Sequence, residues 1–252
     1  MNKFIVANWK MYYGPVKAGA WVRAFRRERL PKDIEIAISV PFVSLAAARA
    51  SLGRATIPAL GAQDCFWEKE GAFTGAISPS MLAEFGVSVC IVGHSERRQY
   101  LGETDEMVAK KAGALQKAGM TPVICVGETA AQRSKGQAKK VVKAQVKQAI
   151  SELKPDGKCP AVIAYEPVWA IGSGKPCRPV DAKEMHDAIR EVITAEWGAR
   201  YRDEIRIIYG GSVNERNITE YMTTTGIDGA LVGGSSLDPR TFALLCRAAV
   251  PA

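Results

Sequence analysis

Histidine is nearly missing from this 252-residue chain: His94 and His186 are the only two. The six cysteines stand singly, with no C-x-x-C pair. Together these scarcities leave no ligand spacing for a zinc site or other metal centre, so no metal is expected. No stretch approaches the roughly 18 apolar residues of a membrane-spanning helix. The apolar run in the N-terminal MNKFIVANWKMYYG is too short for a signal peptide. A cytoplasmic location with reduced thiols is therefore expected for Cys65, Cys90, Cys125, Cys159, Cys177 and Cys246. Cys90, Cys125 and Cys246 lie in apolar runs, where a thiol packs as a small hydrophobe. Cys65 and Cys177 are the two thiols worth testing with an alkylating reagent.

Other absences close off reaction classes. The first apolar strand runs into NWKMYYGP, without the glycine fingerprint of a dinucleotide fold. Gly174-Lys175 is no P-loop, because Pro176 follows the lysine and Trp169 stands where the first glycine belongs. Gly93-His94-Ser95-Glu96-Arg97 lacks the final glycine of a nucleophile elbow, and His186 falls in a helical stretch far from any strand end. No low-complexity linker divides the chain, so residues 1–252 are expected to form a single domain.

Positive charge is what the chain has in excess, at a formal net +8. Such an excess suits a nucleic acid, an anionic surface or a phosphorylated small molecule. Its densest source is Arg133 to Lys147, where Lys139, Lys140, Lys143 and Lys147 interleave with Val142, Val146 and Ile150. That spacing predicts one solvated face of an amphipathic helix. With no aromatic stacking platforms among those lysines, nucleic acid is not expected as a partner.

Short apolar runs alternate with longer amphipathic segments along the whole chain. The runs predict strands at Phe4–Asn8, Ile34–Val40, Ala59–Gln63, Ser88–Gly93, Thr121–Val126, Ala161–Glu166, Ile205–Tyr209 and Gly229–Val232. Most lack polar alternation, as strands do when both faces of a parallel sheet are covered. Ser78-Pro79 reads as a helix start, Asp181 with Glu184 as a capping box, and Pro155–Pro160 as a turn. Eight strands alternating with helices over about 250 residues predict an α/β fold, a (β/α)8 barrel of the TIM type.

In such a barrel the C-terminal strand ends share one face, so residues far apart in sequence converge there. Asn8, Lys10, Gln63, Asp64, His94, Ser95, Glu96, Glu128, Glu166 and Ser212 all fall at these ends. Glu166 closes a buried strand and precedes Pro167, so it reads as a partly desolvated carboxylate suited to proton transfer, or as an acid paired with Arg or Lys. Lys10 follows FIVAN and could aim its charge into the barrel mouth or stay solvated. His94 could act in chemistry or be a hydrogen-bonded core histidine. The turns Gly210-Gly211-Ser212 and Gly233-Gly234-Ser235 follow the last two strands and lead towards helical segments. Bare N–H groups there would suit a phosphate.

These residues lie in motifs that resemble the triosephosphate isomerase family from end to end. The motifs are Ala7-Asn8-Trp9-Lys10-Met11, Gly61-Ala62-Gln63-Asp64, Gly71-Ala72-Phe73-Thr74-Gly75, Gly93-His94-Ser95-Glu96-Arg97-Arg98, Cys125-Val126-Gly127-Glu128, Tyr165-Glu166-Pro167-Val168-Trp169-Ala170-Ile171-Gly172, Tyr209-Gly210-Gly211-Ser212-Val213 and Leu231-Val232-Gly233-Gly234.

The resemblance implies interconversion of dihydroxyacetone phosphate and D-glyceraldehyde 3-phosphate, a step of glycolysis and gluconeogenesis, without a cofactor. Glu166 would be the base, Lys10 and neutral His94 the electrophiles, Asn8 a placing group and Glu96 a supporting acid. Asn8 and Lys10 would also touch substrate, and Gly172, Ser212, Gly233 and Gly234 would hold its phosphate. A mobile lid would run from Pro167, Val168 and Trp169 through Ala170, Ile171 and Gly172. It would continue through Ser173 and Gly174 to Lys175, Pro176 and Cys177. A homodimer is implied too, with Thr74 and Gly75 in the interlocking loop. The lid departs from the family's usual pattern at Ser173, where threonine is common, and at Pro176-Cys177, where small or β-branched residues are commoner. The alternatives are another sugar-phosphate epimerase or an aldolase on the same barrel, or an inactive basic binding protein.

Overall fold

A computed structural model of the chain describes residues 1–155 and 161–250, so most of the Pro155–Pro160 turn, with Cys159, lies outside the described residues. The strands are β1 Lys3–Asn8, β2 Ile34–Val40, β3 Ala59–Ala62, β4 Val89–Val92, β5 Thr121–Val126, β6 Val162–Tyr165, β7 Arg206–Tyr209 and β8 Gly229–Val232. Each lies within one residue of the expected bounds at either end. All neighbours are parallel in sequence order, and β1 pairs with β8 to close the barrel.

Alternation along the strands divides the core in two. Phe4, Val6, Val89, Ile91, Val123, Cys125, Val162, Ala164, Ile208 and Leu231 form one cluster built from strands alone, which is the barrel interior. The intervening residues, such as Ile5, Ala7, Ile163 and Tyr165, join the helices in a second, larger cluster outside the barrel. A side-chain period of two therefore decides which strand-end residues face the mouth.

The helices are α1 Pro15–Phe25, α2 Leu45–Leu52, α3 Pro79–Glu84, α4 Ser95–Leu101, α5 Asp105–Lys117, α6 Ala130–Ser134, α7 Ala138–Ala149, α8 Pro179–Trp197, α9 Ile218–Thr223 and α10 Pro239–Ala248. Ser78 caps α3 as expected, its hydroxyl accepting the Met81 N–H at 3.3 Å. The capping box at Asp181 and Glu184 is not formed. Helix α8 starts two residues before Asp181, at Pro179, and Asp181 instead makes a two-pronged ion pair with Arg178. Proline at the first helical position needs no N–H partner, so the earlier start carries no lost donor.

Helix α7 buries Val142 and Val146, but its lysines are not merely solvated. Lys139, Lys143 and Lys147 pair at 2.6, 2.6 and 2.7 Å with Glu184, Glu191 and Glu196 of α8. The excess charge at this seam is thus answered by the neighbouring helix, a partner that a single-helix pattern does not reveal. The five described cysteines are free thiols, and all are buried. That includes Cys65 and Cys177, at 2% and 1% exposure, so neither is open to an alkylating reagent in this chain as folded.

Candidate active site

Strand parity assembles the site. Asn8 continues the inward series Phe4, Val6, and Glu166 continues Val162, Ala164. Both are buried at the barrel mouth, with Glu166 2% exposed. They share a cavity of about 380 Å³ with Lys10, His94, Ile171, Gly172, Gly174, Gly210, Ser212, Gly233 and Gly234. The structure therefore brings together the expected carboxylate, lysine, histidine, lid tip and glycine turns. Glu96 lies outside that cavity and lines an adjoining hollow of about 240 Å³.

Each charged group is held by identifiable partners. Glu166 Oε2 accepts the Ser95 N–H at 2.9 Å, while Oε1 is buried without an in-line hydrogen bond. His94 Nε2 lies 3.1 Å from that free oxygen. His94 is also the N-cap of α4, its Nδ1 accepting the Glu96 N–H at 3.2 Å. An Nδ1 that accepts carries no proton, so in the neutral ring the proton is on Nε2, facing the cavity. Lys10 Nζ is ion-paired with Glu96 Oε1, and the other oxygen of the same carboxylate lies 3.6 Å from His94 Nδ1.

Two glycines give the carboxylate its room. A Cβ on Gly127 would stand 1.7 Å from the Glu166 carbonyl oxygen, and one on Gly210 would stand 2.8 Å from Glu166 Cγ. The motifs name both glycines, Gly210 within a turn suited to phosphate, but not this service to the carboxylate, which their inward parity on β5 and β7 explains. The Cys125 thiol is buried beside Glu166, and burial together with that carboxylate pushes its proton affinity well up, so it stays a neutral packing group.

Support extends below His94. Glu103 Oε1 accepts the Gly93 N–H at 3.1 Å, and Glu103 also binds Arg97 at 2.6 Å and Lys111 at 3.0 Å. Asp64 completes the cluster through Lys111 at 2.6 Å and Arg97 at 2.7 Å. Asp64 is thus a structural acid, and Gln63, bonded to the Ser39 carbonyl at 2.9 Å, is a positioning amide. Glu128 does not reach the cavity either. It is buried behind the lid, accepting the Tyr165 hydroxyl at 3.1 Å and the Trp169 indole at 2.8 Å, with Arg133 at 3.1 Å.

The lid is therefore anchored where it leaves β6, through Trp169. At its tip Gly172 and Gly174 adopt φ of 67° and 70°, and Ser173 Oγ donates to the Ala170 carbonyl at 3.0 Å. At its far end the Cys177 N–H donates to Tyr209 Oη at 3.1 Å. Pro176 is exposed beside this anchor.

The first glycine turn differs from expectation. After Gly210-Gly211-Ser212 the chain runs through turns, and α9 begins only at Ile218. The second turn does enter a helical segment, a single 3-10 turn at Gly234–Ser236. Among the described residues no group of three or more His, Cys, Asp or Glu could hold a metal ion, and no helix is long and apolar enough to cross a membrane.

Comparison with known proteins agrees with this geometry. The family described as Triosephosphate isomerase matches residues 3–249. A triosephosphate isomerase of Thermoanaerobacter sp. (strain X514) is 46% identical over 95% of this chain and 96% of its own length. That of Thermus thermophilus is 43% identical over 99% of this chain and 100% of its own. That of Dictyoglomus thermophilum is 44% identical over 96% and 97% respectively.

Proposed function

Because the chain belongs to the triosephosphate isomerase family, we propose that the cavity at its barrel mouth performs the proton transfer of that reaction with the residues named above. The chain is an isomerase that interconverts dihydroxyacetone phosphate and D-glyceraldehyde 3-phosphate, a step of glycolysis and gluconeogenesis. The substrate's phosphate lies against Gly172, Ser212, Gly233 and Gly234, where backbone N–H groups supply donors without a basic side chain. Glu166 removes a proton from the carbon beside the carbonyl. His94 Nε2–H and Lys10 Nζ stabilise the oxygens on which enediolate charge develops. Glu166 then returns its proton to the adjacent carbon, which completes the isomerisation. Lid closure excludes water and disfavours loss of phosphate from the intermediate.

The observation that carries this reading is the unbonded, buried Glu166 Oε1, 3.1 Å from His94 Nε2 in a cavity shared with Lys10 and both glycine turns. A carboxylate oxygen with no in-line donor has its lone pairs open to a carbon acid in the cavity. The same arrangement disfavours an aldolase, because Lys10 is ion-paired with Glu96, whereas Schiff-base chemistry needs an isolated, desolvated amine. A coupled assay with glyceraldehyde 3-phosphate tests the reading. Glu166→Gln should lower kcat by at least about 100-fold with the fold intact, and full activity in that variant would refute it.

The proposal extends to the assembly and the setting: a single-domain chain, acting as a homodimer in the cytoplasm. In support, the segment carrying Thr74 and Gly75 is packed upon itself through Phe66, Trp67 and Phe73, yet its tip is exposed. Met11, 96% exposed, and Phe42 border the hollow that holds Glu96, an apolar rim suited to a second copy's tip.

A further inference from the structure

The lid's far anchor involves a second tyrosine that the isomerase reading leaves without a role. Cys177 is gripped on both of its peptide groups. Its N–H donates to Tyr209 Oη at 3.1 Å, and its carbonyl accepts from Tyr221 Oη at 2.5 Å. The two rings come from different elements, β7 and α9, and stack with centroids 4.2 Å apart at 14°. Both rings are buried, so water does not compete for either hydroxyl.

The geometry makes the pair one unit. Tyr209 directly follows Ile208 on β7, and Gly210, next in sequence, faces Glu166. Tyr221 faces the other side of the same lid residue from α9. Gly172 and Gly174, a few residues upstream, form part of the wall of the catalytic cavity. Pro176, with its φ fixed, passes any displacement at Cys177 towards that tip. A hydroxyl bonded to the Cys177 carbonyl therefore bears on where the lid tip stands.

We propose that Tyr221 is a positioning residue for the isomerisation: through its bond to the Cys177 carbonyl it holds the lid over the cavity while the enediolate exists. This rests on the isomerase reading. When the bond is missing the lid spends more time away, and the intermediate divides differently. Instead of reprotonation at carbon, the carbon–oxygen bond to the phosphate breaks, inorganic phosphate leaves with that electron pair, and the remaining enol tautomerises to methylglyoxal. Atoms and charge balance with no co-reactant.

The test is Tyr221→Phe, which keeps the stacked ring and removes the hydroxyl. One buried hydrogen bond corresponds to a factor of about 3 to 10 in lid population. The ratio of phosphate released to triose isomerised should rise by about that factor. The dissociation constant for 2-phosphoglycolate should rise in parallel, and amide exchange should quicken in 170–178 but not in the barrel strands. Unchanged partitioning and unchanged 2-phosphoglycolate binding would overturn the proposal, even if thermal stability fell. If Tyr221→Phe folds poorly, Tyr221→Leu fills the site with aliphatic volume and must show the same two changes. Wild-type chain measured alongside separates the two ideas: no isomerisation by it would refute the isomerase reading itself.

Discussion

Asn8 Oδ1 accepts the backbone N–H of Lys10 at 3.0 Å, and Lys10 is the one described non-glycine residue with a left-handed φ, at 51°. The side chain of one active-site residue thus stabilises the strained backbone of the next. That turn is what swings the Lys10 amine from the strand end towards Glu96 and the cavity.

Removing that acceptor should release the turn. Asn8→Ala is expected to lower kcat/KM by about 10- to 100-fold through misplacement of the amine. It should also cost about 1 kcal/mol of stability. Asn8→Asp keeps the acceptor and should recover the stability but not the activity, because its added charge draws Lys10 away from Glu96. Steady-state kinetics with urea unfolding checks both halves. Equal recovery of the two would refute the division.

Gly210 gives a sharper test of room around the base. A methyl there would meet Glu166 Cγ at 2.8 Å, a contact closer than real Cβ atoms make. Gly210→Ala should therefore push the carboxylate out of line and lower kcat by about 100-fold, with a smaller change in KM. A variant with near-normal kcat would show that the carboxylate can yield without leaving its working position.

Thr74 tests the assembly. An arginine at that exposed tip would meet the apolar rim of Met11 and Phe42 in a second copy. Thr74→Arg should shift the chain from dimer to monomer in sedimentation velocity and reduce kcat, with the circular dichroism spectrum preserved. A wild-type chain that sediments as a monomer would refute the dimer directly.

His186 makes stability depend on pH. It is fully buried in α8, its Nδ1 3.2 Å from the Gly226 carbonyl, and burial pulls its pKa down to about 3. The unfolded chain takes up this proton below about pH 6.5, whereas the folded chain does not until near pH 3. The group's contribution to stability is therefore complete above pH 6.5 and falls as pH drops towards 3, by up to about 1.4 kcal/mol per unit. Urea midpoints at pH 7 and pH 5 should show the fall, and His186→Gln should flatten it. An unchanged slope in that variant would assign the loss to the buried carboxylates instead.

The strands, and the strand-end groups Asn8, Lys10, His94 and Glu166 that meet in one cavity, were legible because both are local patterns. An apolar run such as Thr121–Val126 announces itself, and Glu166 beside Pro167 marks its own strand end. What escaped depended on a second element. The lysines of α7 read as a solvated face until α8 supplied Glu184, Glu191 and Glu196. Gly210 read as a turn glycine and Gly127 only as part of a motif, whereas the lack of a side chain at each serves Glu166 on the strand between them. Asp181 read as a cap because its spacing to Glu184 fits one, yet Arg178 competed for the carboxylate. Cys177 read as a lid-end thiol to be tested with an alkylating reagent, but it is buried, and tyrosines from β7 and α9 bond both of its peptide groups.

Closure of the sheet has its own consequence. A sheet with edges can relieve crowding by letting an outer strand drift, but here β1 is bonded to β8, and none of the described barrel strands is an outer one. Forcing β5 and β6 apart at Gly127 would oblige every other seam of the ring to share the distortion, down to Phe4 and Gly229 on the far side. Tolerance to sequence change in this chain should thus be graded by height along the barrel axis. It is least at the ring of inward positions level with Glu166 and recovers within a few residues into the loops above.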